Sequence, residues 1–429
     1  MLGGTCVNVG CIPSKNLIEA AMRYHGARQG FPGIGPCEPA LDWRGVVAQK
    51  DALVTELRET KYADVLKSYA GVTLLEGRAS LLGGGRVRVG AAEHTARKVV
   101  LATGTVPANP PIEGLDQVEA LNSTTAMELD NLPRSVLVLG GSAVGLELGQ
   151  MFARFGTKVI VLELLPHILA SEDETISHVL QGHLEQEGIE IHTGVSAFRV
   201  EQDGGEVRVH VRQGSLTGEF RAERLLVATG RRADTADLGL EAAGVTLTHN
   251  GFIQVDPTLR TSNSDIYAAG DVTGGPGFVY VAAAGGRLAA ENALTGSARE
   301  LDLSAVPSVT FTSPQVGSVG MTEAGARAAG HHVQVSTLEL AHIPRALVSR
   351  DTRGLVKIVA ESGSGKLLGV HTVGPYAGEL MGEATLAVRF GLTTADLTST
   401  LHPYLTWIES LRLTAQGFAM DVSRLSCCA

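Results

Sequence analysis

Ser135-Val136-Leu137-Val138-Leu139-Gly140-Gly141-Ser142-Ala143-Val144-Gly145 opens the stretch whose reading decides the fold. Its first five residues read as an apolar strand, Gly140 to Gly145 as a turn, Leu146 to Phe155 as a helix, and Lys158–Leu162 as a second strand. Strand, glycine turn, helix and strand make a βαβ unit. The turn matches GxGxxG with Ser142 in place of the middle glycine. Gly140 permits the tight bend and Gly145 lets helix and strand pack closely, which makes Gly140, Gly141, Ser142, Ala143, Val144 and Gly145 candidates for holding a dinucleotide. An acid, Glu163, ends the second strand. There a carboxylate can accept both ribose hydroxyls of NADH and repel a 2′-phosphate, so the pattern leans to NADH over NADPH. A surface Glu after a strand is the plainer alternative.

Outward from this unit, Leu225-Leu226-Val227-Ala228-Thr229-Gly230 repeats Val100-Leu101-Ala102-Thr103-Gly104. The echo suggests two related nucleotide-binding domains, divided by the Pro-rich link from Pro107 to Gly114. Ile266 to Asp271 reads as another strand, ending in Gly-Asp. Asp271 is placed to hold a polyol hydroxyl of a flavin or, more plainly, to cap the helix that follows. Before the first echo, a helix is expected over 42–70 and short strands at 72–75 and 86–89. From Ser304 the character changes to strands at 309–312, 332–338, 354–359 and 367–373, with helices over 378–390 and 405–417, an α+β pattern.

The start of the chain carries the chemistry. Gly3-Gly4-Thr5-Cys6-Val7-Asn8-Val9-Gly10-Cys11-Ile12-Pro13-Ser14-Lys15 leads into an amphipathic run. Pro13 suits a first helical turn, so Cys11 lies at or just before a helix N-terminus, where partial positive charge favours a thiolate. Lys15 adds charge one turn on. Two thiols, glycines and a lysine in one short segment point to a redox pair rather than to two inert buried cysteines. At the far end, Cys427-Cys428 is an adjacent thiol pair suited to a soft metal ion; a vicinal disulfide or an inert tail is the alternative. The histidines show no zinc-binding spacing.

Bulk properties narrow the class. With 429 residues, 44% hydrophobic and 19% charged, the chain is long enough for two to four domains with large cores. A net charge of -10 and 4% aromatic residues argue against a nucleic-acid partner. Five cysteines, four of them in two pairs, do not make a disulfide scaffold. Neither a signal-peptide pattern nor an apolar run of membrane-spanning length is found, so no membrane is expected and the expected compartment is the cytoplasm.

Together these residues resemble the flavoprotein disulfide oxidoreductases, the class I pyridine nucleotide-disulfide oxidoreductases, and within them the mercuric reductases. The family marks are Gly3 through Lys15, the two Ala-Thr-Gly turns, and Thr261-Ser262 through Asp271; the narrower marks are Cys427-Cys428 and Pro403-Tyr404-Leu405-Thr406. The resemblance implies an α/β fold with two Rossmann-like nucleotide-binding domains and a C-terminal α+β dimerisation domain. It divides the chain into an FAD domain (1–111, resumed at 233–303), an NAD(P) domain (112–232) and a dimerisation domain (304–429). It implies FAD, and NADH or NADPH, as cofactors. It makes Cys6 the interchange thiol and Cys11 the charge-transfer thiolate facing the flavin. Lys15 pairs with Glu147 beside the flavin, Asp271 binds the ribityl chain, and Thr103, Gly104 and Gly230 join the cofactor-binding residues. Tyr404, five residues before Glu409, stands where thiol reductases carry a His. The implied substrate is Hg(II), brought by Cys427 and Cys428 to Cys6 and Cys11 across a homodimer with shared active sites.

Three departures accompany the resemblance. The family's opening βαβ unit has no counterpart before the cysteine motif. Ala120-Leu121-Asn122-Ser123 lacks a tyrosine expected of mercuric reductases, and Glu163 is an acid that NADPH-preferring members lack. Glu163 and His402 favour a dihydrolipoamide dehydrogenase-like reductase as the alternative. The missing βαβ unit motivates another, a flavin-free thiol metal-binding remnant.

Overall fold

The computed structural model describes residues 2–422. Cys427 and Cys428 lie outside the described residues. The chain forms two compact units, one from residues 2–13, 51–108 and 230–303, the other from 14–50, 109–229 and 304–422.

In the first unit, Ala79–Gly83, Arg86–Val89 and Ala92–Thr95 form a three-stranded antiparallel meander. Val99–Leu101 pairs in parallel with Ile266–Ala268, and Thr105–Pro107 pairs antiparallel with Arg231–Ala233. Leu81, Leu101, Leu240, Ile253, Ile266 and Val272 make a common core. The strand expected at 72–75 does not form: Val72, Leu74 and Leu75 are exposed, with no sheet to bury them. The helix expected over 42–70 runs as Trp43–Arg58, widens into a π-helical turn at Glu59–Ala63, and ends with Asp64–Lys67.

The second unit holds the βαβ motif as read. Its parallel sheet has the order Arg224–Val227, Ser135–Leu139, Lys158–Leu162, Glu190–His192. The helix Ala143–Arg154 follows the turn. Val136, Leu137 and Val138 are fully buried, which is why this strand is apolar on both faces rather than alternating. Ser196–Asp203, Glu206–Gln213 and Leu216–Ala222 add an antiparallel sheet. C-terminal to these lies a five-stranded antiparallel sheet, ordered Ser308–Thr310, Gln315–Gly320, Leu367–Gly374, Leu355–Glu361, Val333–Glu339. The helix Ala377–Arg389 packs on it through Leu380, Met381 and Ala384.

Two details here depart from expectation. Gln315–Gly320 is a strand that its two glycines hide in the sequence. Gly317 is needed because a Cβ there would lie 2.7 Å from the Ala377 carbonyl oxygen. The last helix begins only at Glu409, not at 405, because Leu405 takes a left-handed conformation (φ 61°) that ends any helical run.

Candidate functional site

The glycine turn has the geometry its sequence requires. Gly140 has φ 107°, and a Cβ there would come within 2.5 Å of the Ala228 carbonyl oxygen. A Cβ on Gly145 would overlap the Gly140 carbonyl oxygen. Ser142 is the N-cap of the helix Ala143–Arg154 but makes no side-chain cap bond, so the first N–H groups of the helix keep no side-chain acceptor there and suit an anion. Glu163 is 9% exposed, and its carboxylate accepts hydrogen bonds from Gly141 N (2.5 Å) and Leu165 N (2.7 Å). The acid thus ties the end of its strand to the turn. Each oxygen keeps a second acceptor position for a ribose hydroxyl.

Asp271 opens the short 3-10 turn Asp271–Thr273 with its carboxylate 3.3 Å from the Thr105 hydroxyl, which donates to it. The helix Val279–Thr295 is capped at Phe278 instead, which removes the capping alternative for Asp271. Arg231, which sequence reading passed over, completes this corner: its Nε donates to Thr105 Oγ1 and its Nη2 to Thr105 O, both at 2.7 Å. Burial pulls the Arg231 guanidinium below its ordinary range and the Asp271 charge opposes the shift. The signal was available, since Arg231 directly follows the second Ala-Thr-Gly turn. Gly104 and Gly230 are both left-handed (φ 71° and 120°), and Thr103 is exposed beside Gly104.

Lys15 and Glu147 meet as the sequence implies. Lys15 Nζ lies 2.6 Å from Glu147 Oε2, and the carboxylate is 5% exposed. Glu147 Oε1 accepts from Phe311 N at 2.8 Å, while Lys15 Nζ stands 4.9 Å above the Phe311 ring. One turn along, Gln150 both accepts from Ser313 N and donates to Ser313 O at 2.8 Å. Phe311 and Gln150 carry no motif, so nothing in the sequence marks them.

Cys6 sits in a short helix, Gly4–Val9, and Cys11 is the first residue of the helix Cys11–Gln29. Both are half-buried. Pro13 falls in the first turn, as expected, and Lys15 follows one turn after Cys11 on the same helix. Gly10 breaks the two helices; a Cβ there would approach the Thr5 carbonyl oxygen to 2.9 Å. Among the described residues no group of three or more His, Cys, Asp and Glu is placed to hold a metal ion.

The segment 401–408 carries Tyr404, which is 49% exposed. Glu409, starting the last helix, is 4% exposed; its Oε1 is 3.4 Å from Arg412 Nη2, and its Oε2 has no hydrogen-bond partner among the described residues. His402 is turned away from solvent, its side chain 2% exposed and its Nε2 2.7 Å from Glu383 Oε1.

Comparison with known proteins shows the family. Residues 1–286 match the pyridine nucleotide-disulphide oxidoreductase model, and residues 306–415 match the dimerisation domain of the same family. The chain belongs to the pyridine nucleotide-disulphide oxidoreductases. It is 48% identical to a mercuric reductase of Streptomyces lividans, over 100% of this chain and 91% of that one. It is 44% identical to a mercuric reductase of Bacillus cereus, over 100% of this chain and 68% of that one. Among solved structures it is similar to the HOCl-induced flavoprotein disulfide reductase RclA from Escherichia coli, with a TM-score of 0.86, 30% identity, and 96% of this chain and 91% of that chain covered. As a pyridine nucleotide-disulphide oxidoreductase the chain uses a flavin and a nicotinamide cofactor, and its residues fit both. The glycines let the turn pack tightly against its own strands, so that the helix Ala143–Arg154 starts at the sheet edge with no side-chain cap on its first N–H groups, and the Thr105–Asp271–Arg231 corner offers hydroxyl, carboxylate and guanidinium to a polyol. Among the described residues no helix is long and apolar enough to cross a membrane.

Proposed function

We propose that this chain reduces Hg(II) to Hg(0) with electrons from NAD(P)H, by way of FAD and the Cys6–Cys11 pair, as a cytoplasmic homodimer with shared active sites. Identity along the whole chain with mercuric reductases supports the reading. The structural observation that carries it is the state of the segment 401–408. A dithiol substrate needs a base there. His402 is buried with its Nε2 on Glu383 and its Nδ1 on Thr400 O, so it offers no free nitrogen. Tyr404 is the half-exposed group instead. A phenol, with an ordinary pKa of about 10, is a poor base near neutral pH, yet it can donate a hydrogen bond to a metal-bound thiolate. This disfavours the dihydrolipoamide-type alternative.

When bound, the flavin supplies two-electron transfer between nicotinamide and the thiol pair. The chain's residues do the rest. Gly140 to Gly145 hold the nicotinamide dinucleotide. Glu163 accepts its ribose hydroxyls and so favours NADH. Lys15, oriented by Glu147, and Asp271, with Thr103, Gly104 and Gly230, hold the flavin. Residues 1–111 and 233–303 form the FAD domain, 112–232 the NAD(P) domain and 304–429 the dimerisation domain. Hg(II) arrives on Cys427 and Cys428 of the partner subunit and passes to Cys6 and Cys11 by thiolate exchange. Each exchange replaces one Hg–S bond by another, so the soft ion keeps its preferred ligands. Tyr404, with Glu409 five residues on, steers the exchange. Two electrons convert Hg(II) to Hg(0), which has no further claim on the thiolates and leaves.

The test is a flavin absorbance spectrum of the purified chain, then Hg(II)-dependent NADH and NADPH oxidation on the same sample. Flavin absorbance with mercury-dependent turnover is expected. Lipoamide turnover without any mercury dependence would sink the proposal in favour of a thiol reductase. Protein that binds Hg(II) but carries no flavin would instead be the metal-binding remnant.

A further inference from the structure

A turn joins the helices Thr394–Ser399 and Glu409–Gln416. Leu401 is 97% exposed. Leu405 adopts φ 61°, a conformation an L side chain occupies only when its surroundings impose it. Within the turn, one side-chain bond is local, from Thr406 Oγ1 to Pro403 O at 2.7 Å. After Tyr404 the chain is anchored by Trp407, whose ring lies 6.1 Å from that of Tyr376 and 6.0 Å from the Arg345 guanidinium. Before Tyr404 the anchor is His402. Its Nε2 faces Glu383 Oε1 at 2.7 Å, from the helix Ala377–Arg389, and its Nδ1 faces Thr400 O at 3.0 Å. Both facing atoms are acceptors. The ring thus touches an acceptor on each side, one on its own turn and one on a helix distant in sequence.

We propose that His402 is a positioning residue: clamped between Glu383 and Thr400, it sets the turn that presents Tyr404 to the exchanging metal ion. The proposal rests on the reading of Tyr404 given above. Its geometric part stands apart from that reading. His402 lies two residues before Tyr404, where a buried ring joins the turn to a helix distant in sequence. Trp407 lies three residues after it. Tyr404 thus lies between a polar contact at His402 and an aromatic one at Trp407. Removing the polar anchor frees the half of the turn that leads into the phenol.

Trp407 allows a direct test, because the chain has only two tryptophans. In the full-length holoenzyme with Trp43→Phe, fluorescence reports Trp407 alone. His402→Ala should raise the acrylamide quenching constant of Trp407 about twofold as the turn loosens, and Glu383→Ala should raise it in the same direction. His402→Gln, which can still donate to Glu383, should recover much of the parent value. In turnover with Hg(II), His402→Ala should lower kcat about tenfold through misplacement of Tyr404. Added to Tyr404→Phe, it should lower kcat less than about twofold further, because the two act as a unit. Unchanged quenching in both His402→Ala and Glu383→Ala would overturn the clamp. Kinetic losses that multiply fully would overturn its action through Tyr404. If Tyr404→Phe alone keeps full turnover, the role assigned to Tyr404 fails, and the quenching data still decide whether His402 holds the turn.

Discussion

Replacing Lys15 with methionine should strand the carboxylate of Glu147, and the size of the effect follows from the structure. The ammonium and carboxylate lie 2.6 Å apart, which at an effective dielectric of about 20 is a gross attraction of about 6 kcal/mol. Burying Glu147 returns several kcal/mol of this as lost hydration. Lys15 is 34% exposed, so solvent screens its side of the pair. A coupling energy of about 2 to 3 kcal/mol should remain, at the lower end of what breaking a buried pair costs. Three variants measure it: Lys15→Met, Glu147→Gln and the double, each unfolded in urea and followed by near-UV circular dichroism. Gln at 147 still accepts the Phe311 N–H, so it removes the charge and keeps the shape. Lys15→Met should be the most destabilised, and the double variant should recover part of the loss. Coupling below about 0.5 kcal/mol would mean the two residues act independently and refute the reasoning.

Gly145→Ala should weaken NADH binding at least about tenfold and lower stability, since its Cβ overlaps the Gly140 carbonyl; a titration with unchanged affinity would contradict the turn geometry. Glu163→Ala should reduce the NADH over NADPH preference in kcat/KM by about tenfold, and an unaltered ratio would remove the ribose assignment. Burial raises the Glu187 carboxyl, but the hydrogen bonds and charge of Arg154, at 2.7 and 2.9 Å, more than reverse it, leaving it below the ordinary 4.5. A depressed carboxyl contributes stability that is complete above about pH 4.5 and is lost as pH falls through its folded value. Urea midpoints of Glu187→Gln should therefore fall less steeply than the parent's below pH 4.5, and parallel curves would deny Glu187 this role. Cys427→Ala with Cys428→Ala should slow Hg(II) reduction in excess thiol while NADH still reduces the flavin; undiminished mercury turnover would count against delivery by this pair.

The opening glycines and the helical setting of Cys6 and Cys11 were legible because they depend on local sequence. A left-handed backbone at Gly140, a helix beginning at Cys11 and a lysine one turn later depend on neighbours a few residues away. The same holds for the apolar strand Ser135–Leu139, whose period and length announce burial on both faces. Local pattern failed where burial decides. Val72 to Leu75 have strand-like composition but no sheet partner, and Gln315–Gly320 looks like a loop yet is the second strand of a five-stranded sheet.

By itself, then, the sequence determined the class of fold, the glycine turn between strand and helix, and the family. Tertiary structure alone decided which side chains support these groups: Phe311 against Lys15 and Glu147, Arg231 against Thr105 beside Asp271, and Glu383 against His402. It also separated His402 from Tyr404. Two residues apart in sequence, one has its side chain turned inward onto Glu383 and the other is half exposed. The physical reason is common to all of these. A hydrogen bond or ion pair is fixed by distance in space and by exclusion of water, and neither is written in the spacing of residues along the chain.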